Sequence, residues 1–155
     1  NESRYVRSLN FTVPSETTRV EIVATITGHG FQQDDANCAE FCDHQHHYYM
    51  GPHHTYEWHP IVYSNTGCEN EISNGVVANQ FGSWPYGRAG WCSGQDVKQW
   101  TYDITSWVDM NGQNNELTYR GLFNGQEYNP TGESGKGGRN IAAEIWVVFY
   151  TNSTA

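Results

Sequence analysis

Basic residues are scarce in this chain, which has 155 residues, eight Lys and Arg, 17 Asp and Glu, and a formal net charge of −9 at pH 7. Because contacts from Lys and Arg to phosphate dominate the affinity of proteins for nucleic acids, the sequence argues against a nucleic-acid partner. No apolar run approaches the ~20 residues of a membrane helix, so we expect no membrane span. The first residues also lack the pattern of a signal peptide. Helical periodicity is almost absent, and no Cys-x-x-Cys pair occurs.

β-Strand sequence is abundant instead. Runs with alternating apolar positions are separated by Gly, Asn, Asp and Pro. They read RSLNFTV, TRVEIVATIT, HTYEWHPIVY, VKQWTYDITSWV, NELTYRGLF and NIAAEIWVVFY, the last apolar on both faces as in a central strand covered from both sides. A short turn is expected to start within VKQWTYDITSWV, at Asp103. We predict one all-β domain over residues 1–155, an antiparallel jelly-roll β-sandwich of about eight strands that is a fragment of a larger protein.

Two stretches rich in Gly and Asn, residues 64–96 and 124–140, are predicted to be loops. Long loops on a compact sandwich commonly carry function, although simple mobility is the alternative for the second one.

Four cysteines allow three pairings and are Cys38, Cys42, Cys68 and Cys92. Two N-glycosylation sequons begin at Asn10 and Asn152. Together with the absence of a Cys-x-x-Cys pair, they favour disulfides over thiolate metal ligands. Disulfides in turn favour a secreted protein in an extracellular or periplasmic setting.

The segment Cys-Ala-Glu-Phe-Cys holds the first candidate for chemistry. A bridge between Cys38 and Cys42 requires a sharp turn, which would fix Glu40 and Phe41 in a rigid, outward-facing position. Partial desolvation beside an aromatic ring raises the pKa of a carboxyl group toward the working pH, which suits a general acid or base. The alternative is an ordinary solvated glutamate on a stapled turn.

A second candidate is the stretch SWPYGRAGWC, which sets Arg88 beside Trp84, Tyr86 and Trp91. Arginine offers a planar fork of donors, and aromatic faces stack on sugar rings or on the guanidinium itself. An acid, an arginine and several tryptophans suit a carbohydrate or carbonyl substrate. Tryptophans packed under a disulfide are the alternative.

These motifs carry a family resemblance. ITGHG (residues 26–30), CAEFC (38–42) and RAGWC (88–92) follow the order and similar spacing of ITGHG, CAEWC and RAGWCPG in the C-terminal jelly-roll domain of peptide-N-glycosidase F. The chain resembles that domain over roughly residues 5–151. Members of that family cleave the amide that joins an N-glycan to asparagine. Phe41 stands where the family has tryptophan, and Ser93 where it has proline.

The resemblance implies disulfides Cys38–Cys42 and Cys68–Cys92, an active-site glutamate at Glu40 and an active-site arginine at Arg88. Both residues would lie at the interface of two jelly rolls. The family's principal catalytic aspartate and a second glutamate come from the other jelly roll, so the chain resembles half of an active site. We therefore expect an isolated domain to be inactive, and the partners to be an N-glycan or glycoprotein and an adjoining jelly-roll domain. This chemistry requires no cofactor.

The histidines are not explained by these motifs, and six of the seven lie in residues 44–59. His44 and His46 are two apart, so on a strand both rings project from one face with Cα atoms ~6.5–7 Å apart. That spacing suits a Cu or Zn ion, given a third ligand, and His47 would face the other way. Candidates for the third ligand are His29, His53, His54 and His59. We take His44, His46, His54 and His59 as the predicted metal site, with a polar hairpin that binds nothing as the alternative.

A second resemblance accompanies this site. The peptide-N-glycosidase F fold is similar to the double jelly roll of copper-dependent peptidylglycine monooxygenases, in which a His-x-His on a corresponding strand binds copper together with a methionine from the last strand. The last strand here has no methionine.

The leading hypothesis is thus hydrolysis of the asparagine–glycan amide, or recognition of such glycoconjugates. Glu40 would orient or activate water or substrate. Arg88 would hydrogen-bond the sugar or stabilise charge on the amide oxygen. Trp84, Tyr86 and Trp91 would form the sugar-facing surface. The alternatives are a secreted copper- or zinc-binding domain and a non-catalytic carbohydrate-binding or adhesion module.

Overall fold

Alternating side chains organise the chain into antiparallel β-sheets. The structure is a computed structural model that describes residues 5–30, 39–62, 64, 66–78, 80–128 and 140–152. These ranges contain eight strands: β1 (Val6–Phe11), β2 (Thr17–His29), β3 (His44–Met50), β4 (His53–Tyr56), β5 (Trp100–Asp103), β6 (Asn115–Phe123), β7 (Gln126–Glu127) and β8 (Asn140–Thr151). Three short 3₁₀ segments span Ala39–Phe41, Gly67–Asn74 and Gln80–Gly82. No helix within the described ranges is long and apolar enough to cross a membrane.

The strands form two sheets. The larger sheet has the order β1-β6-β3-β4. The short strand β7 pairs with the last two residues of β6, Leu122 and Phe123. The smaller sheet has the order β5-β2-β8. All of the pairings between described strands are antiparallel.

The core lies between the two sheets. Ile22 and Ile26 of β2 face Tyr48 of β3 and Leu117 of β6, and all four side chains are almost completely buried. The rings of Tyr48 and Trp100, one from each sheet, stack with centroids 5.2 Å apart. Burying a side chain of this size contributes about 1.5–3 kcal/mol. The predicted antiparallel β-sandwich of about eight strands is confirmed, and its jelly-roll connectivity stays a prediction.

Strand β3 shows most clearly how the alternation works. Its burial alternates residue by residue, so that His44, His46, Tyr48 and Met50 point into the core. Because successive side chains of a strand project to opposite faces, His47 lies on the outer face, as predicted.

Two strand predictions are wrong in part. The run HTYEWHPIVY belongs to a strand, β4, only as far as Tyr56. The chain then continues as an irregular segment in which Ile61 and Val62 are buried without pairing in a sheet. Pro60 lies in that segment and has no N–H to give to a ladder. Strand β8, predicted to be covered on both faces, pairs among the described strands with β2 alone, and Trp146 is 62% exposed. An apolar face does not by itself reveal what covers it.

The loops and the turn follow the prediction more closely. The described part of residues 64–96 contains 3₁₀ segments and irregular chain but no strand. The turn after β5 starts where expected, because the Thr105 N–H donates to Asp103 Oδ1 at 2.8 Å. Residues 124–140 contain the short β7, and residues 129–139 lie outside the described residues.

One predicted disulfide is confirmed. Cys68 and Cys92 are bridged, with Cα atoms 5.6 Å apart. For the other predicted bridge, Cys38 lies outside the described residues.

Candidate functional site

The three sequence motifs meet at Gly28, near the end of β2. The Gly28 N–H donates to the Arg88 carbonyl oxygen at 2.8 Å. A Cβ added at Gly28 would lie 2.8 Å from the Glu40 carbonyl oxygen and 3.2 Å from Ala89 Cβ. Real Cβ atoms do not approach backbone that closely, so only glycine lets the Glu40 turn and the Arg88 loop lie against the strand. The motifs are distant in sequence, yet each forms one side of the same contact.

Glu40 and Arg88 are thereby brought together. Arg88 Nε lies 3.8 Å from Glu40 Oε1, with the arginine buried and the glutamate partly exposed. The guanidinium also donates to the Tyr86 carbonyl oxygen and to Ser83 Oγ, each at 3.3 Å. Burial lowers the pKa of Arg88 and the charge of Glu40 opposes that shift. Arginine remains protonated in such a setting, so the pair presents a carboxylate held by a fixed cation.

Aromatic rings surround the pair. The Arg88 guanidinium carbon lies 5.1 Å from the centroid of Phe41 and 5.5 Å from that of Trp91. Phe41 also contacts Tyr86, with ring centroids 5.4 Å apart, and Tyr86 is 39% exposed. The Nε1 atom of Trp91 is buried and has no hydrogen-bond partner within the described part of the chain. These rings form an apolar wall with one unused N–H donor beside the ion pair.

Trp84 is placed differently from the other predicted aromatic residues. It packs against a small cluster of buried residues made up of Ile61, Val76 and the disulfide Cys68–Cys92. The Cys68 N–H donates to the Pro85 carbonyl oxygen at 3.1 Å, which fixes the same loop. Trp84 therefore supports the loop that carries Arg88.

His44 and His46 occupy the core beneath this site. Both are completely buried, and their ring centroids are 6.4 Å apart. His46 Nδ1 is hydrogen-bonded to the Tyr119 hydroxyl at 2.8 Å, whereas both nitrogens of His44 and Nε2 of His46 have no partner among the described residues. Burial lowers the pKa of His44 to about 3 and that of His46 well below its ordinary value. Both rings are therefore neutral at pH 7.

His59 and Glu57 adjoin these histidines. The Glu57 N–H donates to the His46 carbonyl oxygen at 2.9 Å, and Glu57 Oε1 lies 3.3 Å from His59 Nε2. Burial raises the pKa of Glu57, and His59 opposes that shift. A Cβ added at Gly90 would lie 3.2 Å from His59 Nε2, so His59 lies directly under the Arg88 loop.

Glu57 and Tyr119 are polar core residues that the sequence interpretation missed. Tyr119 has the same parity as the buried Leu117 in NELTYRGLF, and that parity was the available signal. Glu57 has no such signal, because its neighbours of the same parity in HTYEWH are Thr55 and His59.

His54 is not brought together with His44 and His46. It is exposed on the outer face of the larger sheet, where its Nε2 lies 2.8 Å from His47 Nδ1 and its ring stacks on Tyr49. The same face has a recess of about 280 Å³ lined by Gln45, His47, Tyr56 and Trp58. Across the described residues, no group of three His, Cys, Asp or Glu side chains is already arranged to hold a metal ion.

Comparison with known proteins agrees with the motifs. The chain matches the family model described as peptide-N-glycosidase F, C terminal, over residues 2–148. No curated protein and no solved structure matches it.

Proposed function

The chain belongs to the family of the peptide-N-glycosidase F C-terminal domain, and on that basis we propose that it supplies one half of a site for asparagine-linked glycans. The observation that carries the proposal is the convergence of three motifs at Gly28, which places a partly exposed Glu40 against a buried Arg88. A carboxylate held by a cation and flanked by aromatic rings suits a polar ligand with sugar-like apolar faces.

The two charged residues have different roles in this proposal. Glu40 is the group that meets the ligand, and it orients or activates water or the substrate amide. Arg88 is buried and already donates to Tyr86 and Ser83, so its main task is to hold Glu40 and the surrounding rings in place. Any remaining N–H of the guanidinium is directed at developing negative charge on the ligand.

The aromatic residues also have two roles in this proposal, contact with the ligand and support of the loop. Tyr86 and Trp91 form the sugar-facing surface, supported by the exposure of Tyr86 and by the position of the Trp91 ring beside the Arg88 guanidinium. Trp84 packs behind the loop against the disulfide and acts as its support.

Hydrolysis needs more than this half-site. Cleavage of an amide requires a group that delivers the nucleophile and one that protonates the leaving nitrogen, and Glu40 supplies one carboxylate. We propose that an adjoining jelly-roll domain of a larger, secreted protein supplies the rest, and that the domain described here is itself a jelly roll. The disulfide Cys68–Cys92 supports an oxidising, extracellular or periplasmic setting.

The test is glycan release from a denatured glycoprotein by the full-length parent protein and by its Glu40→Gln form. We expect release to fall by about 100-fold or more, which is the lower range for loss of a general acid or base. Glu116→Gln is the matched control, because Glu116 is an exposed glutamate on β6. Equal rates for the parent and Glu40→Gln would remove Glu40 from the mechanism.

Binding is measured separately on the isolated domain, by calorimetric titration with an N-glycosylated peptide. The proposal predicts binding without turnover that weakens in Glu40→Gln. If the full-length protein also binds glycans without releasing them, the function is that of a carbohydrate-binding module.

A further inference from the structure

The interior of the sandwich contains imidazole nitrogens that nothing in the described structure satisfies. Both nitrogens of His44, Nε2 of His46 and both nitrogens of His59 are buried and have no hydrogen-bond partner there. His44 and His46 are completely buried. Buried polar atoms in native proteins are almost always paired with protein, ordered water or an ion. Five such atoms in one region therefore point to an occupant.

The arrangement of the other nitrogens indicates what kind of occupant fits. His46 Nδ1 is hydrogen-bonded to the Tyr119 hydroxyl, which leaves Nε2 open. His59 Nε2 lies 3.3 Å from Glu57 Oε1 as an ion-pair contact, and neither of its ring nitrogens has a hydrogen bond. Metal-binding histidines characteristically have one ring nitrogen held by a carboxylate or another polar group while the other binds the metal.

The distance between the two strand histidines is also compatible with one ion. Their ring centroids are 6.4 Å apart. An ion bound tetrahedrally ~2.1 Å from one nitrogen of each ring places the two ring centres roughly 5.3 Å apart, so an inward movement of the rings by about 1 Å would bring both onto one ion. The third ring, His59, belongs to the segment that is joined to β3 by the hydrogen bond from the Glu57 N–H to the His46 carbonyl oxygen, at 2.9 Å.

We propose that the core of this domain binds one divalent transition metal ion of the zinc or copper class through His44, His46 and His59. Glu57 lies beside His59 and offsets the charge of the ion, and Tyr119 orients His46. Imidazole nitrogens with a nearby carboxylate suit these metals. Since the three histidines are not already gathered around one point, the rings rotate when the ion binds.

The role of the ion is structural. It would connect β3 to the irregular segment that holds His59, and His59 lies directly under Gly90 of the Arg88 loop. The ion would thus brace the loop from below while the disulfide Cys68–Cys92 braces it from the side. This inference does not depend on glycan chemistry.

The experiment uses the chain without a histidine tag. The protein is treated with chelator, incubated with Zn(II) or Cu(II), desalted and measured for metal content, and its thermal unfolding is followed with and without each metal. We expect about one ion per chain and a higher unfolding temperature in the metal-bound protein, because a ligand that binds only the folded state stabilises it. X-ray absorption at the metal edge should show imidazole ligands.

Variants locate the site. His59→Ala is the first test, because His59 lies at the margin of the core and its loss is more easily tolerated than loss of a strand histidine. We expect metal affinity to fall at least tenfold in this variant and in His44→Leu. The matched control is His53→Ala/His54→Ala, which removes two exposed histidines of β4 and should bind as the parent does.

Three outcomes would overturn the proposal. The first is a parent protein that retains no stoichiometric metal and whose unfolding temperature does not change with metal, because such a protein has no metal site at these nitrogens. Loss of binding in His53→Ala/His54→Ala, with His59→Ala unaffected, would move the site to the outer face. A metal edge spectrum without imidazole ligands would exclude the histidines even if the strand variants fail to fold.

Discussion

Replacing Gly28 by alanine tests whether the three motifs depend on one another. The added Cβ would lie 2.8 Å from the Glu40 carbonyl oxygen and 3.2 Å from the Arg88 carbonyl carbon, both of which are backbone atoms. Overpacking of this kind costs about 1–3 kcal/mol. Alanine in a strand recovers about 0.5–1 kcal/mol relative to glycine through backbone entropy. We therefore expect Gly28→Ala to lower the free energy of unfolding by about 1–2 kcal/mol, measured by urea denaturation.

The effect on the site should be larger than this loss of stability suggests. To relieve the contact, either the Glu40 turn or the Arg88 loop must move by several tenths of an ångström, and the two side chains are already 3.8 Å apart. We expect calorimetric titration with an N-glycosylated peptide to show weakened binding by Gly28→Ala at a temperature where it is fully folded.

Gly51→Ala is the control for stability. Gly51 has φ +54° and nothing within 4 Å of an added Cβ, so alanine is disfavoured there by its backbone conformation alone. It lies in the turn between β3 and β4, and we expect a comparable loss of stability with unchanged glycan binding. If Gly28→Ala is as stable as the parent and binds equally well, the contact at Gly28 does not hold the site together.

Two further predictions concern stability. Cys68 and Cys92 are 24 residues apart, so replacing both by alanine should lower the free energy of unfolding by about 3–4 kcal/mol through the lost restriction of the unfolded chain. The measurement is urea denaturation of the variant and of the parent, with and without reductant. A parent whose stability does not change in reductant would contradict this prediction. Hydrogen bonds from the Thr105 side chain and backbone lower the pKa of Asp103. A carboxyl group whose pKa is lowered by folding stabilises the protein at pH values above its unfolded pKa of 3.8, and this stabilisation is lost as the pH falls through the folded pKa. Asp103→Ala should therefore be less stable than the parent near pH 7. The difference in urea midpoint should narrow near pH 2, and a constant difference would show that the charge of Asp103 is irrelevant.

The sheets were largely predictable because each strand carries its own evidence. Alternation in β2 and β6 is local, and a period of two residues assigns each side chain to a face. The local sequence of a strand does not show which strands pair with it, so β8 was wrongly predicted to be a central strand covered on both faces. Its apolar outer positions, including Trp146, do not state whether another element lies over them. The strand prediction for the segment after Tyr56 was wrong for a related reason, because a buried irregular segment has the same apolar pattern as a strand.

The candidate site shows the same limit. The motifs predicted that Glu40 and Arg88 belong to one site, and the structure brings their side chains together. Spacing could not show that Trp84 packs against the Cys68–Cys92 disulfide, or that His54 lies on the opposite face from His44. The packing of Trp84 depends on the course of the disulfide-linked loop, and the position of His54 depends on how β4 pairs with β3. A single sequence records neither.

The two departures from the family motifs are compatible with an intact half-site. Phe41 replaces a tryptophan, yet its ring still contacts Tyr86 and lies 5.1 Å from the Arg88 guanidinium carbon. Ser93 replaces a proline, and its carbonyl oxygen accepts a hydrogen bond from the Val77 N–H at 2.9 Å. Proline retains a carbonyl oxygen, and within the described residues the Ser93 N–H donates to no backbone acceptor that proline would lose. Phe41 therefore keeps an aromatic ring beside Arg88, and the Val77–Ser93 hydrogen bond needs only a carbonyl oxygen, so neither departure argues against the proposed half-site.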